Sequence, residues 1–326
     1  MKILSGPVKS HYFLLKLASL LMVLSMGCQN SNEPSFGLIG DLPYSKSEEQ
    51  GFEDLIKNLN KQKLSFVVHV GDFKSQNQPC HDDVYQLRLK QFHQSSNPLI
   101  FVPGDNEWTD CHKPEISYSP LERLELLRKL FFPRGQSLGK TPLLLKRQST
   151  EKHFSDYKEN SRWSLSKVLF VTLHVVGSNN GFGRTPEEDQ SFLQRQTANQ
   201  KWLEQAFDDA KDKQYRALML FIHGNPKFDL SSDDPSSQGF EGFLRNLETQ
   251  MSEFDKPVVL VHGDTHYFRI DKPLRATDTK RRIINLTRVE TFGVPDIHWL
   301  KVTIQSTNPN VFSFEPVLLE NAVEKL

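Results

Sequence analysis

The sequence has no excess of charge of either sign. Among its 326 residues, Lys plus Arg and Asp plus Glu each total 40, so the formal net charge is zero. Without a global electrostatic field, the composition gives no reason to expect nucleic acid or a strongly acidic partner. The basic run at residues 280–282 is short and is typical of a solvated loop.

Two classes of hydrolytic mechanism are not indicated by the sequence. There is no Gly-x-x-x-x-Gly-Lys-Ser/Thr loop for a nucleoside triphosphate, and no serine or cysteine is expected in a strand-to-helix nucleophile elbow. Beyond residue 30 no long apolar run remains, which argues against a membrane-spanning helix there. NTP hydrolysis and covalent serine hydrolysis are therefore poorly supported.

The beginning of the chain is typical of a targeting segment. Three lysines precede the apolar stretch 17–24, which is shorter than the roughly 20 residues that a spanning helix needs. Cys28 follows this stretch and is itself followed by a polar segment. The pattern resembles a bacterial lipoprotein signal. We predict a signal peptide over 1–27, lipidation of Cys28 and a polar tether over 28–35. The chain would then be periplasmic or on the cell surface, anchored in the membrane. An ordinary secretory signal is the alternative.

Four short segments place metal-binding side chains at the ends of apolar runs: residues 38–41, 68–72, 101–107 and 259–266. Each is typical of a buried strand that stops near a glycine and presents a carboxylate or an imidazole in the next loop. In an open α/β sheet, ligands collect outside the carboxyl ends of the strands. Converging carboxylates repel one another unless a cation lies between them. The segments therefore indicate metal chemistry, whereas any one of them alone is only a turn signal.

Apolar spacing predicts strands that alternate with helices, followed by an antiparallel finish. The predicted helices are 47–61, 82–94, 120–132, 187–211 and 240–254. The predicted strands are 36–40, 64–70, 98–102, 168–176, 216–223, 257–262, 283–286, 298–304 and 311–315. Residues 135–162 are polar and are expected to form a surface excursion or a small hairpin. The pattern favours one mixed α/β domain over 36–326.

The chain has only three cysteines. If Cys28 takes a lipid, Cys80 and Cys111 remain as an even pair in an oxidising compartment. Each follows one of the metal-type segments, and adjacent strand-end loops could bring the two within bonding distance. We predict a Cys80–Cys111 disulfide; two unpaired thiols are the alternative.

In their order along the chain, these segments and an isolated His223 resemble the calcineurin-like metallophosphoesterases. The usual motifs are Asp-x-His, Gly-Asp, Gly-Asn-His-Glu/Asp, a lone His and Gly-His-x-His. The resemblance covers nearly all of residues 36–326. It implies an α/β fold, a four-layer αββα sandwich of two mixed sheets, with two metal ions at the C-terminal ends of strands.

The resemblance also implies a ligand set. Asp72 would bridge the two ions, and Asp41 and His266 would hold the first. The second ion would be held by Asp105, His223 and Asp264, with Asn225 as a competing ligand. This set contains more carboxylates than the family norm, and hard oxygen ligands favour Mn²⁺, Fe²⁺ or Mg²⁺ over Zn²⁺.

Two positions depart from the family motifs. Pro43 stands where the first motif has His, and Asn106 stands where the family has its proton-donating His. An amide cannot supply that proton, which is worth roughly 10²–10⁴ in rate. Asn106 is a candidate both for the catalytic position and for binding substrate. His112 is a candidate for the acid that would replace the missing His. Asn179 and Asn180 are further candidates for binding phosphate oxygens, or simply turn residues.

The sequence thus predicts a metal-dependent hydrolase of small phosphoesters or phosphoproteins. The nucleophile implied by the resemblance is a metal-bound hydroxide, not a side chain. Two other interpretations stay open. The chain could bind a metal or a phosphorylated ligand without turnover, since His is missing at positions 43 and 106. It could also be a purely structural lipoprotein.

Overall fold

The computed structural model describes residues 1–3, 33–113, 117–132, 135–228 and 234–320. Pro34–Leu326 form one compact unit, distinct from Met1–Glu33. Almost all of the predicted signal peptide, and Cys28, lie outside the described residues, so lipidation stays a prediction. Within the described ranges, no helix is long and apolar enough to cross a membrane.

Strands and helices alternate through most of the compact unit. The helices are α1 (Lys46–Asn60), α2 (Asp82–Phe92), α3 (Pro120–Phe131), the single turn α4 (Gly177–Asn180), α5 (Pro186–Asp212) and α6 (Gln238–Ser252). The strands are β1 (Ser35–Ile39), β2 (Val67–His69), β3 (Leu99–Phe101), β4 (Lys146–Arg147), β5 (Ser161–Leu165), β6 (Val168–Thr172), β7 (Ala217–Phe221), β8 (Val258–His262), β9 (Arg269–Asp271), β10 (Leu286–Glu290), β11 (Trp299–Ile304) and β12 (Phe312–Val317).

The strands form two mixed sheets. One has five strands in the order β12-β11-β1-β2-β3, and the other has seven in the order β4-β5-β6-β7-β8-β10-β9. In the first sheet β1, β2 and β3 are parallel; in the second, β6, β7, β8 and β10 are parallel. The central parallel strands of each sheet therefore present their carboxyl ends on one edge, where side chains from successive loops can meet.

Three apolar layers hold the sheets and helices together. Alternate residues of the central strands pack between the two sheets, among them Phe36, Leu38, Val68, Phe170 and Phe221. The other side chains of the five-stranded sheet pack against α1 to α3 through Phe52, Leu55, Leu59 and Phe131. Those of the seven-stranded sheet pack against α5 and α6 through Trp202, Leu203, Phe207 and Leu247. The order helix–sheet–sheet–helix confirms the predicted αββα sandwich.

The long helix α5 shows how local sequence fixes an element of this sandwich. The Thr185 side chain accepts from the Glu188 N–H at 3.2 Å, and Pro186 occupies the first helical position. A cap of this kind stabilises a helix by about 1 kcal/mol, and proline there loses no backbone hydrogen bond. Trp202 and Phe207 are fully buried against the seven-stranded sheet. The cap sets the start of the helix, and burial of its apolar face holds it in place.

Of the two options predicted for residues 135–162, the surface excursion is wrong, whereas a small antiparallel pairing does form between Gln136 and Leu144. β4 and β5 join the seven-stranded sheet, and Arg147, Gln148 and Asn160 are buried. The Asn160 amide donates to Gln148 Oε1 at 2.7 Å and to Asn199 Oδ1 at 2.8 Å. Polar residues satisfy one another here, so hydropathy gave no sign of burial.

The strand predicted at 283–286 is displaced toward the C-terminus. The observed strand β10 is rich in polar residues, yet Arg288 and Glu290 are buried. Arg288 donates to Asp271 at 2.7 Å, and Glu290 accepts from Arg269 at 2.7 Å. Both partners, Asp271 and Arg269, lie in β9, a short edge strand that apolar alternation did not indicate.

Candidate metal centre

The six ligand candidates lie on loops from both sheets. Asp41, Asp72 and Asp105 follow β1, β2 and β3, while the other three follow β7 and β8: His223, Asp264 and His266. The backbone N–H of Asp264 donates to Asp41 Oδ1 at 3.0 Å, which joins the two sets. The site therefore sits where the carboxyl ends of the two sheets meet.

Two overlapping groups of ligand atoms are close enough to hold an ion. One atom each of Asp41, Asp72 and His223 lie within 4.8 Å of one another, and so do single atoms of Asp105, His223 and Asp264. Together the two groups hold five of the six candidates. His266 lies beside the first group, with its Nε2 3.7 Å from Asp41 Oδ1.

His223 presents a ring nitrogen to two carboxylates. Its Nδ1 lies 2.7 Å from the Val70 carbonyl oxygen, which can only accept. In the neutral ring the proton is therefore on Nδ1, and Nε2 keeps its lone pair. Nε2 lies 3.0 Å from Asp105 Oδ1 and 3.4 Å from Asp72 Oδ1. A ring oriented by a carbonyl in this way is the usual arrangement of a metal-ligating histidine.

His266 is oriented in the same manner. Its Nδ1 lies 2.7 Å from the Val294 carbonyl oxygen, so in the neutral ring Nε2 is again the free nitrogen. That Nε2 faces the Tyr44 hydroxyl at 3.0 Å and Asp41 Oδ1 at 3.7 Å. Both histidines thus direct Nε2 into the same group of carboxylates, and in the neutral ring this nitrogen carries the lone pair.

Three buried atoms at the centre of the site lack hydrogen-bond partners within the described residues: Asp41 Oδ2, Asp105 Oδ1 and His223 Nε2. Leaving such atoms unpaired costs about 1–3 kcal/mol each, and more when the group is charged. The backbone leaves room for them, because a Cβ added at Gly177 would lie 2.4 Å from Asp105 Oδ1 and 2.7 Å from Asp264 Oδ1. This donor set fits divalent cations, which would satisfy all three atoms.

Four of the six ligand candidates have a left-handed backbone conformation. Asp41, Asp72, Asp264 and His266 all have positive φ, between 55° and 80°. For residues other than glycine this left-handed region costs on the order of 1 kcal/mol or more per residue. Such strain persists only where the surrounding structure imposes it, and it is typical of functional sites.

The electrostatics show how strongly the site needs positive charge. Burial, together with the Asp72 carboxylate, raises the pKa of Asp41 well above its ordinary value. Burial and the Asp105 carboxylate raise the pKa of Asp264 to about 7. Burial alone would lower the pKa of His223, yet the carboxylates of Asp72 and Asp105 raise it well above its usual value. Protons thus fill the place of a cation when none is bound.

A covalent bond and two buried polar residues hold the loops after β2 and β3 together. Cys80 and Cys111 form a disulfide, as predicted. Glu107 Oε1 accepts from the Phe73 N–H at 2.7 Å, and Lys74 Nζ donates to the Asn106 carbonyl oxygen at 2.9 Å. Lys74 is fully buried, so its ammonium acts on the protein backbone and not on a substrate.

Asn106 lies inside the site, and His112 does not reach the ligands. The Asn106 N–H donates to Asp72 Oδ1 at 3.0 Å, and its side-chain amide donates to the Lys74 carbonyl oxygen at 3.1 Å. Among the described residues, the polar contacts of His112 are Thr109 O at 2.7 Å and Arg184 Nη1 at 2.8 Å. The structure thus gives no contact that would make His112 the replacement acid.

The asparagine candidates support the loops. The Asn180 amide donates to Gly239 O at 3.0 Å and accepts from the Val176 N–H at 3.1 Å. Asn179 accepts from the Gly239 N–H at 2.9 Å and donates to Phe182 O at 3.1 Å. Both side chains bond to backbone groups, as expected for residues that stabilise a turn. The side-chain oxygen of Asn225 likewise accepts from the Lys227 N–H at 3.1 Å.

Two residues of the site were missed from the sequence. The Tyr44 hydroxyl lies 3.0 Å from Asp72 Oδ2, and Ser178 Oγ donates to Asp105 Oδ2 at 2.7 Å. Tyr44 comes three residues after Asp41, in the same loop. Its position next to the missing His of the first motif was the signal that could have found it. Ser178 had no comparable signal, because it depends on the left-handed backbone within α4.

A serine in a Gly-x-Ser-x-Gly spacing does not form a nucleophile elbow. Residues 135–139 match that spacing, and Ser137 lies between the isolated bridges of Gln136 and Leu138. Its hydroxyl donates to the Leu138 carbonyl oxygen at 3.0 Å, and the side chain is buried. No helix follows it, whereas a nucleophile elbow needs a strand-to-helix turn.

The chain belongs to the calcineurin-like phosphoesterases: the model of that family matches residues 34–268. This confirms the resemblance seen in the motifs. No curated protein matches the sequence.

Solved structures show the same fold at low sequence identity. A dimetal phosphatase from Danio rerio is similar with a TM-score of 0.57 at 13% identity, over 87% of this chain and 96% of that one. The structure of PhoD is similar with a TM-score of 0.52 at 13% identity, over 83% of this chain and 63% of that one. At such identities these similarities establish the fold alone.

Proposed function

We propose that this protein is a metal-dependent phosphoester hydrolase with a binuclear centre. The observation that carries the proposal is the set of buried, partnerless ligand atoms on Asp41, Asp105 and His223. The bridging position falls to Asp72, whose Oδ1 faces His223 Nε2 and whose Oδ2 faces Tyr44. Asp41 and His266 would hold the first ion, and Asp105, His223 and Asp264 the second.

Two divalent ions in such a site would polarise the phosphoryl group, neutralise its charge and activate water. The protein's own contribution is to fix the ligands. The carbonyl groups of Val70 and Val294 set the tautomer of each neutral imidazole. Ser178 donates to Asp105 Oδ2 and so orients the carboxylate, while Oδ1 stays without a partner. The Asn106 amide donates one N–H to the Lys74 carbonyl oxygen; its other N–H could bond a phosphoryl oxygen, but an amide cannot protonate a leaving group.

The carboxylate-rich ligand set supports Mn²⁺, Fe²⁺ or Mg²⁺ as the resident ions in preference to Zn²⁺. A small phosphoester or a phosphoprotein would be the substrate. We further propose that the chain is exported and anchored through lipid on Cys28, which the pattern of residues 17–28 supports. Membrane fractionation of wild type beside Cys28→Ala tests the anchor: release of the wild type into the soluble fraction would contradict it.

Elemental mass spectrometry of the purified chain tests the metal centre. We expect about two metal ions per chain in wild type, a loss in Asp72→Asn, and no change in Asp156→Asn, where the carboxylate is exposed. Turnover of phosphomonoesters and phosphodiesters, assayed with several divalent metals, should likewise be lost in Asp72→Asn and unchanged in Asp156→Asn. Wild-type protein that binds no metal after reconstitution, or an Asp72→Asn chain as active as wild type, would overturn the proposal.

A second candidate is a member of the family that binds a metal or a phosphorylated ligand without turnover. Asn106 favours it, because this residue replaces the proton-donating His of the family motif and His112 makes no contact with the ligands. Metal at full occupancy without turnover of any phosphoester in the panel would favour this candidate over the hydrolase.

A further inference from the structure

The connection between β9 and β10 carries a concentration of positive charge. Residues 272–284, here called the basic hairpin, contain five basic residues and one acidic residue, although the whole chain is neutral. The run 280–282 is short in the sequence, but an antiparallel bridge between Arg275 and Arg282 places a further basic residue beside it. Arg275 and the whole run are exposed. The fold thus gathers into one surface patch what the sequence presents as two separate pieces.

The basic hairpin is fixed in place, and its charge is not neutralised. The N–H and the hydroxyl of Thr277 donate to the two carboxylate oxygens of Glu248, each at 2.6 Å, which ties the turn to α6. The Arg275 guanidinium donates to a main-chain carbonyl oxygen at 3.1 Å, and such a group carries no net charge. Glu248 and Asp278 together set two negative charges against five positive ones. The patch is therefore a net positive surface.

An exposed apolar side chain lies in the same patch. Ile284 is 73% exposed, and the Lys272 ammonium donates to its carbonyl oxygen at 2.6 Å. Cations interspersed with exposed apolar residues are typical of surfaces that bind anionic bilayers, because the charges attract the headgroups and the apolar group enters the interface. A soluble polyanion gains nothing from an isoleucine, which neither pairs with charge nor stacks on a base. The patch therefore favours a membrane surface over nucleic acid.

The topology places the basic hairpin on the edge of the sandwich opposite the metal centre. The hairpin leads into the amino end of β10, which is parallel to β8, and the carboxyl end of β8 leads to Asp264 and His266. The amino end of β1 lies on the hairpin's edge as well. Arg216, just before β7, donates to the carbonyl oxygen of Gln305 at 3.1 Å, and Gln305 follows the antiparallel partner of β1. The compact unit therefore begins, at Pro34, on the hairpin's side.

We propose that the basic hairpin docks on the anionic surface of the membrane that holds the lipid anchor, so that the metal centre opens away from the bilayer. This inference rests on the anchor proposed above. Cys28 precedes Pro34 by six positions, and a chain of six residues spans at most about 20 Å. Lipid on Cys28 would therefore hold the hairpin's edge near the bilayer. In this orientation substrate reaches the metal centre from the aqueous side.

Vesicle co-sedimentation tests the proposal with the full chain carrying Cys28→Ala, which has no lipid of its own. The hairpin variant adds Lys280→Glu/Arg281→Glu/Arg282→Glu to this chain. Its binding to vesicles of phosphatidylcholine with phosphatidylglycerol should be at least about tenfold weaker. Binding of the parent chain should fall as salt screens the charges. Residues 1–27 are common to both chains, so any contribution from them cancels in the comparison.

The control variant reverses the same number of charges on the opposite edge, in Lys46→Glu/Lys152→Glu/Lys158→Glu. All three lysines are exposed; Lys46 follows β1, and the other two precede β5, which is antiparallel to β6. We expect this variant to bind vesicles much more tightly than the hairpin variant. Ile284→Ser should weaken binding to vesicles but not to dextran sulfate, a soluble polyanion without an apolar interface.

A solvent-sensitive fluorophore reports which edge faces the bilayer. The Cys80–Cys111 disulfide leaves the Cys28→Ala chain without a free thiol. A label therefore attaches only at a cysteine introduced as Ile284→Cys or as Lys152→Cys. We expect a blue shift on vesicle binding for the label at position 284 and none for the label at position 152.

Equal vesicle binding by the hairpin and control variants, or a blue shift at position 152 in place of 284, would overturn the role of the hairpin and leave the metal centre and the lipid anchor standing. Binding to dextran sulfate without binding to vesicles would overturn the membrane as its partner. The anchor fails separately, through release of wild type into the soluble fraction, because the vesicle assay is made without lipid on Cys28.

Discussion

Asp264 donates its backbone N–H to Oδ1 of Asp41 at 3.0 Å, although the two residues lie 223 positions apart. Asp41 follows β1 of the five-stranded sheet, and Asp264 follows β8 of the seven-stranded sheet. This bond gives the Asp41 carboxylate one protein partner and leaves Oδ2 without one. The same contact therefore orients a ligand and joins the two halves of the sandwich.

Gly177 is predicted to be essential for metal binding. In Gly177→Ala the new Cβ would lie 2.4 Å from Asp105 Oδ1 and 2.7 Å from Asp264 Oδ1, so both carboxylates must move. We expect metal affinity to fall at least about tenfold, as measured by competition with a chelator. Gly135→Ala is the control, because its Cβ meets only the Leu145 carbonyl oxygen at 3.2 Å. Equal affinities in the two variants would refute the prediction.

Asp264→Asn is predicted to stabilise the metal-free chain more at high pH than at low pH. The pKa of Asp264 rises from 3.8 to about 7 in the folded chain because of burial and the Asp105 carboxylate. A carboxyl group with a raised pKa holds its proton more tightly when folded, so it destabilises the fold progressively as pH rises from about 4 to about 7. The variant lacks this penalty.

The measurement is the difference in free energy of unfolding between Asp264→Asn and wild type, in chelator, from about pH 5 to about pH 8. Burial lowers the pKa of His69 and His262 to about 3, and that of His174 to about 4, which destabilises the fold at low pH. These three effects have the opposite sign but occur in both chains, so they cancel in the difference. A difference that does not grow with pH would contradict the assignment.

The buried ion pair of Arg128 and Glu159 is predicted to be sensitive to the loss of one partner. Arg128 Nη2 lies 2.8 Å from Glu159 Oε1, which also lies 2.7 Å from His174 Nδ1. Arg128→Met would leave the Glu159 carboxylate buried without its main counter-charge, at a cost of about 3–5 kcal/mol. Urea denaturation measures this cost. Arg245→Met is the control, since Arg245 is exposed and its pair with Glu241 is worth at most about 1 kcal/mol.

The disulfide is predicted to support both stability and the metal site. Cys80 and Cys111 are 31 residues apart, and bridging a loop of this size stabilises a fold by about 2–4 kcal/mol. The loop between them includes Asp105 and Asn106. In the Cys80→Ala/Cys111→Ala chain we expect a lower melting temperature and weaker metal binding. Unchanged metal affinity in a folded double variant would limit the bridge to a role in stability.

Most of the fold could be predicted because the sheets and helices bury apolar residues at regular spacing. The strand containing Phe36 and Leu38 and the helix containing Trp202 and Phe207 both follow such patterns. The errors occurred where charged residues are buried in pairs. Arg288 in β10 and Asp271 in β9 satisfy one another across two strands, and no local pattern reports such a partner.

The residues of the candidate site also differ in how far the sequence could predict them. Asp41, Asp72 and Asp105 could be found because each lies within four residues of the end of an apolar strand. The contact between the Tyr44 hydroxyl and His266 Nε2 could not be predicted from the sequence, because the two residues lie 222 positions apart. The orientation of each imidazole is also a long-range property, since it depends on a carbonyl group of a distant loop.

Three of the six ligand candidates come from the five-stranded sheet and three from the seven-stranded sheet, and the last in the chain is His266. Neither sheet alone can complete either ion's set. A full set of candidate ligands for either proposed ion therefore exists only after residue 266 has been made and both sheets have come together. In the proposed centre, full coordination of either ion is therefore expected in the compartment where the two sheets associate.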